Sequence, residues 1–325
     1  MLVVTPNLCF DVTVRLPELI PGAILRATET STTAGGKGVN VVRSAGATGI
    51  IGSRLLGFLA AVDGDRLRTL LADEGIALIG VPADGSVRIS TILLETGGRT
   101  TVVNGRGPQI SVNQWSALLD SVAENLRPGE VLVCSGSLPP GVPVDGYAKL
   151  IEVAHAGHSP VAIDAAPTPL AIALERAPDL VSPNLSEAEG LLFGRVDELV
   201  DETGDDLPER AAAAAATLHQ RGAVRAVVTA GAAGAALATA DGTWWLTAPR
   251  ASVVSTIGAG DSFVGGAARA LSTGSGISDL NMVIAGMATA SASCETQLAG
   301  GVDPLRVAEL TGQTTVHALD PTGTP

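Results

Sequence analysis

The most chemically pointed stretch of the chain is Thr256-Ile257-Gly258-Ala259-Gly260-Asp261-Ser262, where two glycines lead into an aspartate. Residues Ala251 to Ser255 have the pattern of a short strand and Asp261 to Thr273 that of an amphipathic helix, so strand, turn and helix follow in order. Gly258 and Gly260 can take backbone angles closed to other residues. Successive N–H groups can then point at one spot, and the helix N-terminus adds partial positive charge. Such a nest binds an anion. A carboxylate beside it repels a bound phosphate, yet suits a hydroxyl that must lose its proton as it attacks phosphorus. The same aspartate also suits a plain helix cap. On these residues alone both readings stand.

Other stretches offer chemistry and an ordinary alternative side by side. Gly35-Gly36-Lys37-Gly38-Val39-Asn40 lets backbone approach a ligand closely, with Lys37 and Asn40 as donors; it also fits a glycine-rich connection carrying a surface lysine. Lysine occurs only at positions 37 and 149, which gives the placement of Lys37 weight. Asn184 and Glu187 open a helix three residues apart, as a cap and a first-turn acid do, or as a pair holding hydrated Mg²⁺ does. Arg26, Arg88 and Arg106 are either solvated strand residues or a cradle for a substrate phosphate. His155 and His158 flank Gly157 and read as a frayed helix end.

Two common nucleotide motifs fail. Around Lys37 a Walker A loop would need glycine where Ser31 stands and a hydroxyl where Gly38 stands. The Gly-x-Gly pairs starting at 36, 105, 258 and 274 lack the third glycine of a dinucleotide fingerprint, having Val41, Ile110, Phe263 and Asp279 there.

The elements that must position these residues follow from the pattern of the whole chain. Short apolar runs alternate with helical stretches from Glu130 to Thr229, which argues for an α/β fold: a doubly wound, mostly parallel sheet flanked by helices in one domain over residues 1–325. Segments 10–34 and 86–108 are half-polar, contain a hairpin turning at Thr96-Gly97-Gly98, and read as an antiparallel β lid with one wet face. Asp197 to Asp206 reads as a solvated acidic loop, and residues 311–325 as a frayed tail. A net charge of −13 excludes non-specific binding to nucleic acid or acidic membranes. Three scattered cysteines, no basic-then-apolar leader and no apolar span of bilayer length lead to the expectation of a cytoplasmic protein with reduced thiols.

Gly35 to Asn40 near the start and Thr256 to Ser262 near the end together resemble the paired signatures of the ribokinase-like (PfkB) carbohydrate kinases. Between them, Asn184-Leu185-Ser186-Glu187 is similar to that family's Asn-x-x-Glu motif, and Thr229-Ala230-Gly231-Ala232-Ala233-Gly234 to its nucleotide loop. Thr5 to Asp11, Val87 to Ser90, Thr101 to Pro108 and Ser135 to Gly141 resemble the branch that phosphorylates sugar phosphates, with 1-phosphofructokinase, tagatose-6-phosphate kinase and the minor 6-phosphofructokinase. The resemblance implies an enzyme using ATP and Mg²⁺, with a monovalent cation as an option, acting on a ketohexose phosphate, fructose 1-phosphate first. It assigns Asp261 as base, with Gly258, Ala259 and Gly260 as anion hole. Asp11, Gly35, Gly36 and Asn40 would hold sugar hydroxyls; Arg88 and Ser137, with Lys37, Arg26 or Arg106, the existing phosphate. Asn184, Thr229, Gly231, Gly234 and Thr256 would hold the nucleotide, and Asn184 with Glu187 the Mg²⁺. A homodimer through the lid is expected. Alternatives are 6-phosphofructose, 6-phosphotagatose, an unphosphorylated sugar or nucleoside as substrate, or a non-catalytic sensor on the same fold. The chain departs from the pattern at Pro6-Asn7-Leu8, where that branch has Leu-Asn-Pro, and at Ser255, where the family commonly has Asp or Asn.

Overall fold

In the computed structural model, which describes residues 1–194, 204–272 and 274–319, the chain begins with β1 (Leu2–Val4) and leaves the main sheet for β2 (Cys9–Leu16) and β3 (Glu29–Gly35). It returns through α1 (Lys37–Ala47), β4 (Arg54–Val62), α2 (Gly64–Asp73) and β5 (Ala77–Ser86), then makes a second excursion as β6 (Arg88–Glu95) and β7 (Thr100–Asn104). Next come α3 (Val112–Asn125), β8 (Leu132–Ser135), α4 (Gly146–Ala156), β9 (Val161–Asp164), α5 (Pro167–Leu174), β10 (Leu180–Val181), α6 (Leu185–Phe193), α7 (Leu207–Gln220) and β11 (Ala226–Ala230). The hairpin β12 (Gly234–Thr239) and β13 (Gly242–Thr247) precedes α8 (Ala259–Leu271), α9 (Asp279–Ser293), α10 (Pro304–Thr311) and β14 (Val316–Leu319).

The main sheet runs β14-β13-β12-β11-β10-β9-β8-β1-β4-β5, parallel from β11 to β5 and antiparallel beyond. Its strands are apolar on both faces because both are covered. Leu2, Val4, Leu132, Cys134 and Ile163 enter one core with α3, α4, α5 and α7, while Val3, Leu55, Val133 and Ala162 enter the other with α1, α2, α8 and α9. This is the period of two expected for buried strands. The winding reverses between β1 and β8, which opens a crevice at their carboxyl ends.

The separate small sheet, ordered β3-β2-β6-β7, falls on the two segments read as a lid, 10–34 and 86–108, and overruns the first by one residue at each end, at Cys9 and Gly35. Its outer pairs are antiparallel as expected, but the central pair is not: β2 and β6 run parallel from Cys9↔Arg88 to Leu16↔Glu95. The reason is topological, since β2 and β6 continue from β1 and β5, which point the same way. Alternation puts Cys9, Asp11, Ser90, Ile92 and Val102 on the face that lines a cavity, and Val12, Val14, Ile89, Leu93 and Val103 on the other.

Two local expectations are corrected. Residues 251–255 form no strand; the N–H groups of Val254 and Ser255 both donate to the Cys294 carbonyl at the end of α9, so no ladder edge is available to them. The tail is not frayed as far as Leu319, because β14 pairs with β13 from Leu246↔Val316 to Thr243↔Leu319. Residues 197–203 of the acidic run and 320–325 of the tail lie outside the described residues. Among the described residues no helix is long and apolar enough to cross a membrane.

Candidate active site

The cavity between the lid and the carboxyl ends of the main strands has a volume of about 650 Å³. Asp261 lies in its wall at the third residue of α8, and the helix itself is capped by Gly258 at φ 81° with no side-chain cap. The cap reading of Asp261 therefore fails. Its carboxylate accepts instead from Asn40 Nδ2 at 2.8 Å, on the first turn of α1. Among the described residues the N–H groups of Gly258, Gly260 and Asp261 find no protein acceptor, while Ala259 N–H donates to Thr256 O. An added Cβ on Gly260 would meet open space. The turn is thus a nest of unsatisfied donors, with glycine demanded at 258 by its positive φ.

Asp261 is 6% exposed, and burial pushes its acid up to about 7. Lys37 and the Asn40 hydrogen bond oppose that rise, whereas Asp164 and Glu187 add to it. A carboxyl poised near neutrality can take and return a proton.

The first glycine stretch is explained by what presses against it. Gly36 caps α1 at φ 116°, a Cβ at Gly35 would overlap the Asp11 carboxylate, and one at Gly38 would crowd Thr5 and Val3 of the β1 strand end. Lys37 Nζ is not a free surface charge: it donates to Asp164 Oδ1 and Oδ2 at 3.1 and 3.2 Å and lies 3.6 Å from Glu187 Oε1. Burial lowers the affinity of this ammonium for its proton, but Asp164, Glu187 and Asp261 outweigh it and hold Lys37 charged. Asp164, at the carboxyl end of β9, and Ser135, which donates to it at 3.3 Å, were not singled out by the sequence. A lone aspartate closing an apolar strand gives only a weak signal. Tyr147, fully buried, donates to Gly136 O at 2.6 Å and fixes another cavity-wall residue.

Asn184 and Glu187 form a capping box on α6: Asn184 Oδ1 accepts from Glu187 N at 2.8 Å, and Glu187 Oε2 from Asn184 N at 3.0 Å. Glu187 reaches the cavity wall; Asn184 does not. Burial raises the Glu187 acid, with Lys37 opposing. Among the described residues no group of three or more His, Cys, Asp or Glu is arranged to hold a metal by itself. Asp164, Glu187 and Asp261 nevertheless surround the single ammonium of Lys37, an excess of negative charge that suits a hydrated divalent ion held by one or two carboxylates and a polyphosphate.

On the lid, Asp11 accepts from Cys9 Sγ at 3.3 Å, and burial raises its acid against the pull of Cys9, Arg43 and Arg88. Arg88 donates through Nε to Asn7 O at 3.0 Å and through Nη1 to Gly105 O at 3.4 Å; its Nη2 has no acceptor among the described residues. Asn7 Nδ2 donates to Ser137 Oγ at 2.9 Å, which leaves the Ser137 proton free for a ligand. Arg88, Arg106 and Ser137 share the cavity with Asp261, but Arg26 sits exposed on the β2–β3 connection, outside its wall. Thr229, Gly231, Gly234, Ala259, Gly260 and Thr256 are also outside that wall. Thr229 is bridged to Asn184, and Gly234 has a close neighbour of its own, since a Cβ there would strike Leu246 O of β13.

An anion nest, a near-neutral acid, a half-buried ammonium among carboxylates and a lid over the switch point of a doubly wound sheet define a phosphotransferase. The pfkB family carbohydrate kinase model matches residues 2–305, and the chain belongs to that family. It is 35% identical over 277 residues to a 1-phosphofructokinase of Xanthomonas campestris, covering 82% of this chain and 83% of that one. A 1-phosphofructokinase of Bacillus subtilis is 31% identical over 263 residues, 81% and 82% of the two chains. The crystal structure of phosphofructokinase-2 from Escherichia coli in complex with potassium superposes with a TM-score of 0.85 at 27% identity, covering 96% and 98%.

Proposed function

We propose that this cytoplasmic enzyme transfers the γ-phosphoryl group of Mg-ATP to a hydroxyl of a ketohexose phosphate, with fructose 1-phosphate as the first candidate. The observation that carries the reading is the sharing of one cavity by Asp261 and by Arg88, Arg106 and Ser137. The substrate hydroxyl, positioned by Asp11 and Asn40, gives its proton to Asp261 as it attacks. The amides of Gly258, Gly260 and Asp261 receive the charge that develops on the phosphoryl oxygens. Thr229, Gly231, Gly234 and Thr256 hold the nucleotide, while Asn184 and Glu187, with Asp164, hold Mg²⁺, which when bound neutralises charge on the phosphates. Lid closure keeps water from competing with the sugar. The choice of the 1-phosphate follows the names of the relatives. The outward apolar face of the lid supports a homodimer through that face.

Coupled ADP release across fructose 1-phosphate, fructose 6-phosphate, tagatose 6-phosphate, fructose and ribose, with and without K⁺, tests this. Preference for a phosphorylated ketose supports it. Preference for free sugars reduces the lid arginines to surface residues, and binding without turnover would mark a sensor.

A further inference from the structure

One buried side chain beside the site, outside the cavity wall, has no role in the chemistry so far. Arg43, one turn beyond Asn40 on α1, is 6% exposed at its side chain, and its five N–H donors meet five acceptors. Nε donates to Glu74 Oε2 at 2.6 Å; Nη2 donates to Glu74 Oε1 at 2.7 Å and Ala34 O at 2.8 Å; Nη1 donates to Ala299 O and Asn40 Oδ1, both at 3.1 Å. A guanidinium can only donate. The Asn40 oxygen must therefore face Arg43, and its NH₂ must face Asp261.

We propose that Arg43 is the positioning residue of the reaction: held by Glu74, it fixes the Asn40 amide so that Asp261 always meets a donor. This rests on the reading of Asp261 as the base. The geometry gives the constraint its force. A freely turning amide would present its oxygen to the carboxylate half of the time, repelling the ionised form and withdrawing the second Nδ2 proton from the sugar. Gly258 packs against the Asn40 amide nitrogen and Gly300 against the Asn40 backbone, which holds the residue in place and leaves turning of the amide about its last bond as the freedom that Arg43 must remove. Arg43 also ties the end of β3, at Ala34, to the segment at Ala299, so a purely structural role is the competing account.

The test uses Arg43→Lys, which keeps a cation for Glu74 but cannot span five acceptors. The Asn40 side-chain NH₂ resonances, assigned by their loss in Asn40→Leu, should show one proton shifted well downfield in the wild type by its bond to Asp261, and that extra shift should be lost in Arg43→Lys. Turnover should fall ~10-fold or more with the KM for ATP nearly unchanged. The double variant Arg43→Lys/Asn40→Leu should be no slower than Asn40→Leu alone, since the first residue acts through the second. A lowered melting temperature with the resonance and turnover intact, or losses that multiply in the double variant, would overturn the proposal. If the wild type turns over no sugar or sugar phosphate, the kinase reading fails, and the resonance alone decides the assignment of Arg43.

Discussion

At the scale of single residues, burial of charge is what sets Asp261 apart, because its surroundings keep its acid near neutrality. With Asp261 as the proposed base, which must be ionised to act, kcat/KM for the sugar should rise as pH increases through roughly neutral values and level off above. A profile flat down to pH 5 would contradict this. Asp261→Asn should leave ATP binding intact and cut turnover by about 10²–10⁴-fold, measured by single-turnover kinetics. Arg88→Ala should raise the KM for a sugar phosphate and leave that for ATP nearly constant, as expected for a clamp with an uncommitted Nη2. Asp261, Lys37 and Asn40 were legible as candidates because glycines or scarcity set them apart, and Arg88 because it falls on the lid hairpin, but choosing between their chemical and ordinary readings needed the paired glycine stretches together. Asp164 and Arg43 were not, because their meaning comes from partners 127 and 31 residues away, Lys37 and Glu74.

At the scale of elements, glycine spacing determines how close a helix comes to a strand. The α1 helix presents Lys37 and Asn40 to the cavity from a seat against β1, and a Cβ at Gly38 would lie 2.7 Å from Thr5 Cβ and 2.9 Å from Val3 Cγ1. Gly38→Ala should cost about 1–3 kcal/mol in denaturant unfolding and also lower turnover, because α1 would shift away with its donors. Unchanged activity in a destabilised variant would separate packing from positioning. Helices and parallel strands were readable from periodicity, as α4 and β9 show. Strand β14 was hidden in a segment whose Thr, Gly and Pro content suggested a tail, and 251–255 has strand composition but no neighbouring strand, a fact no local pattern contains.

At the scale of the whole molecule, alternation on the lid separates a wet inner face from an apolar outer one. Ile89 is 51% exposed and Val103 58%, a cost for an isolated chain but a contact for a pair. The double variant Ile89→Lys/Val103→Lys should sediment as a monomer where the wild type sediments as a dimer. A monomeric wild type at micromolar concentration would remove the lid interface. The overall topology was legible as an α/β alternation, whereas the parallel centre of the lid was not, since it is set by which main strands the lid segments leave.

That parallel β2–β6 pair bears on how the molecule is made. Its two strands are separated in the chain by β3, α1, β4, α2 and β5, so the first hairpin, β2 and β3, leaves the ribosome with an unpaired edge until β6 arrives. Pairing across such a separation is slow. During synthesis the future roof of the proposed site therefore keeps an open edge until β6 is made, and a nascent chain stalled before β6 would present that edge to any neighbouring copy.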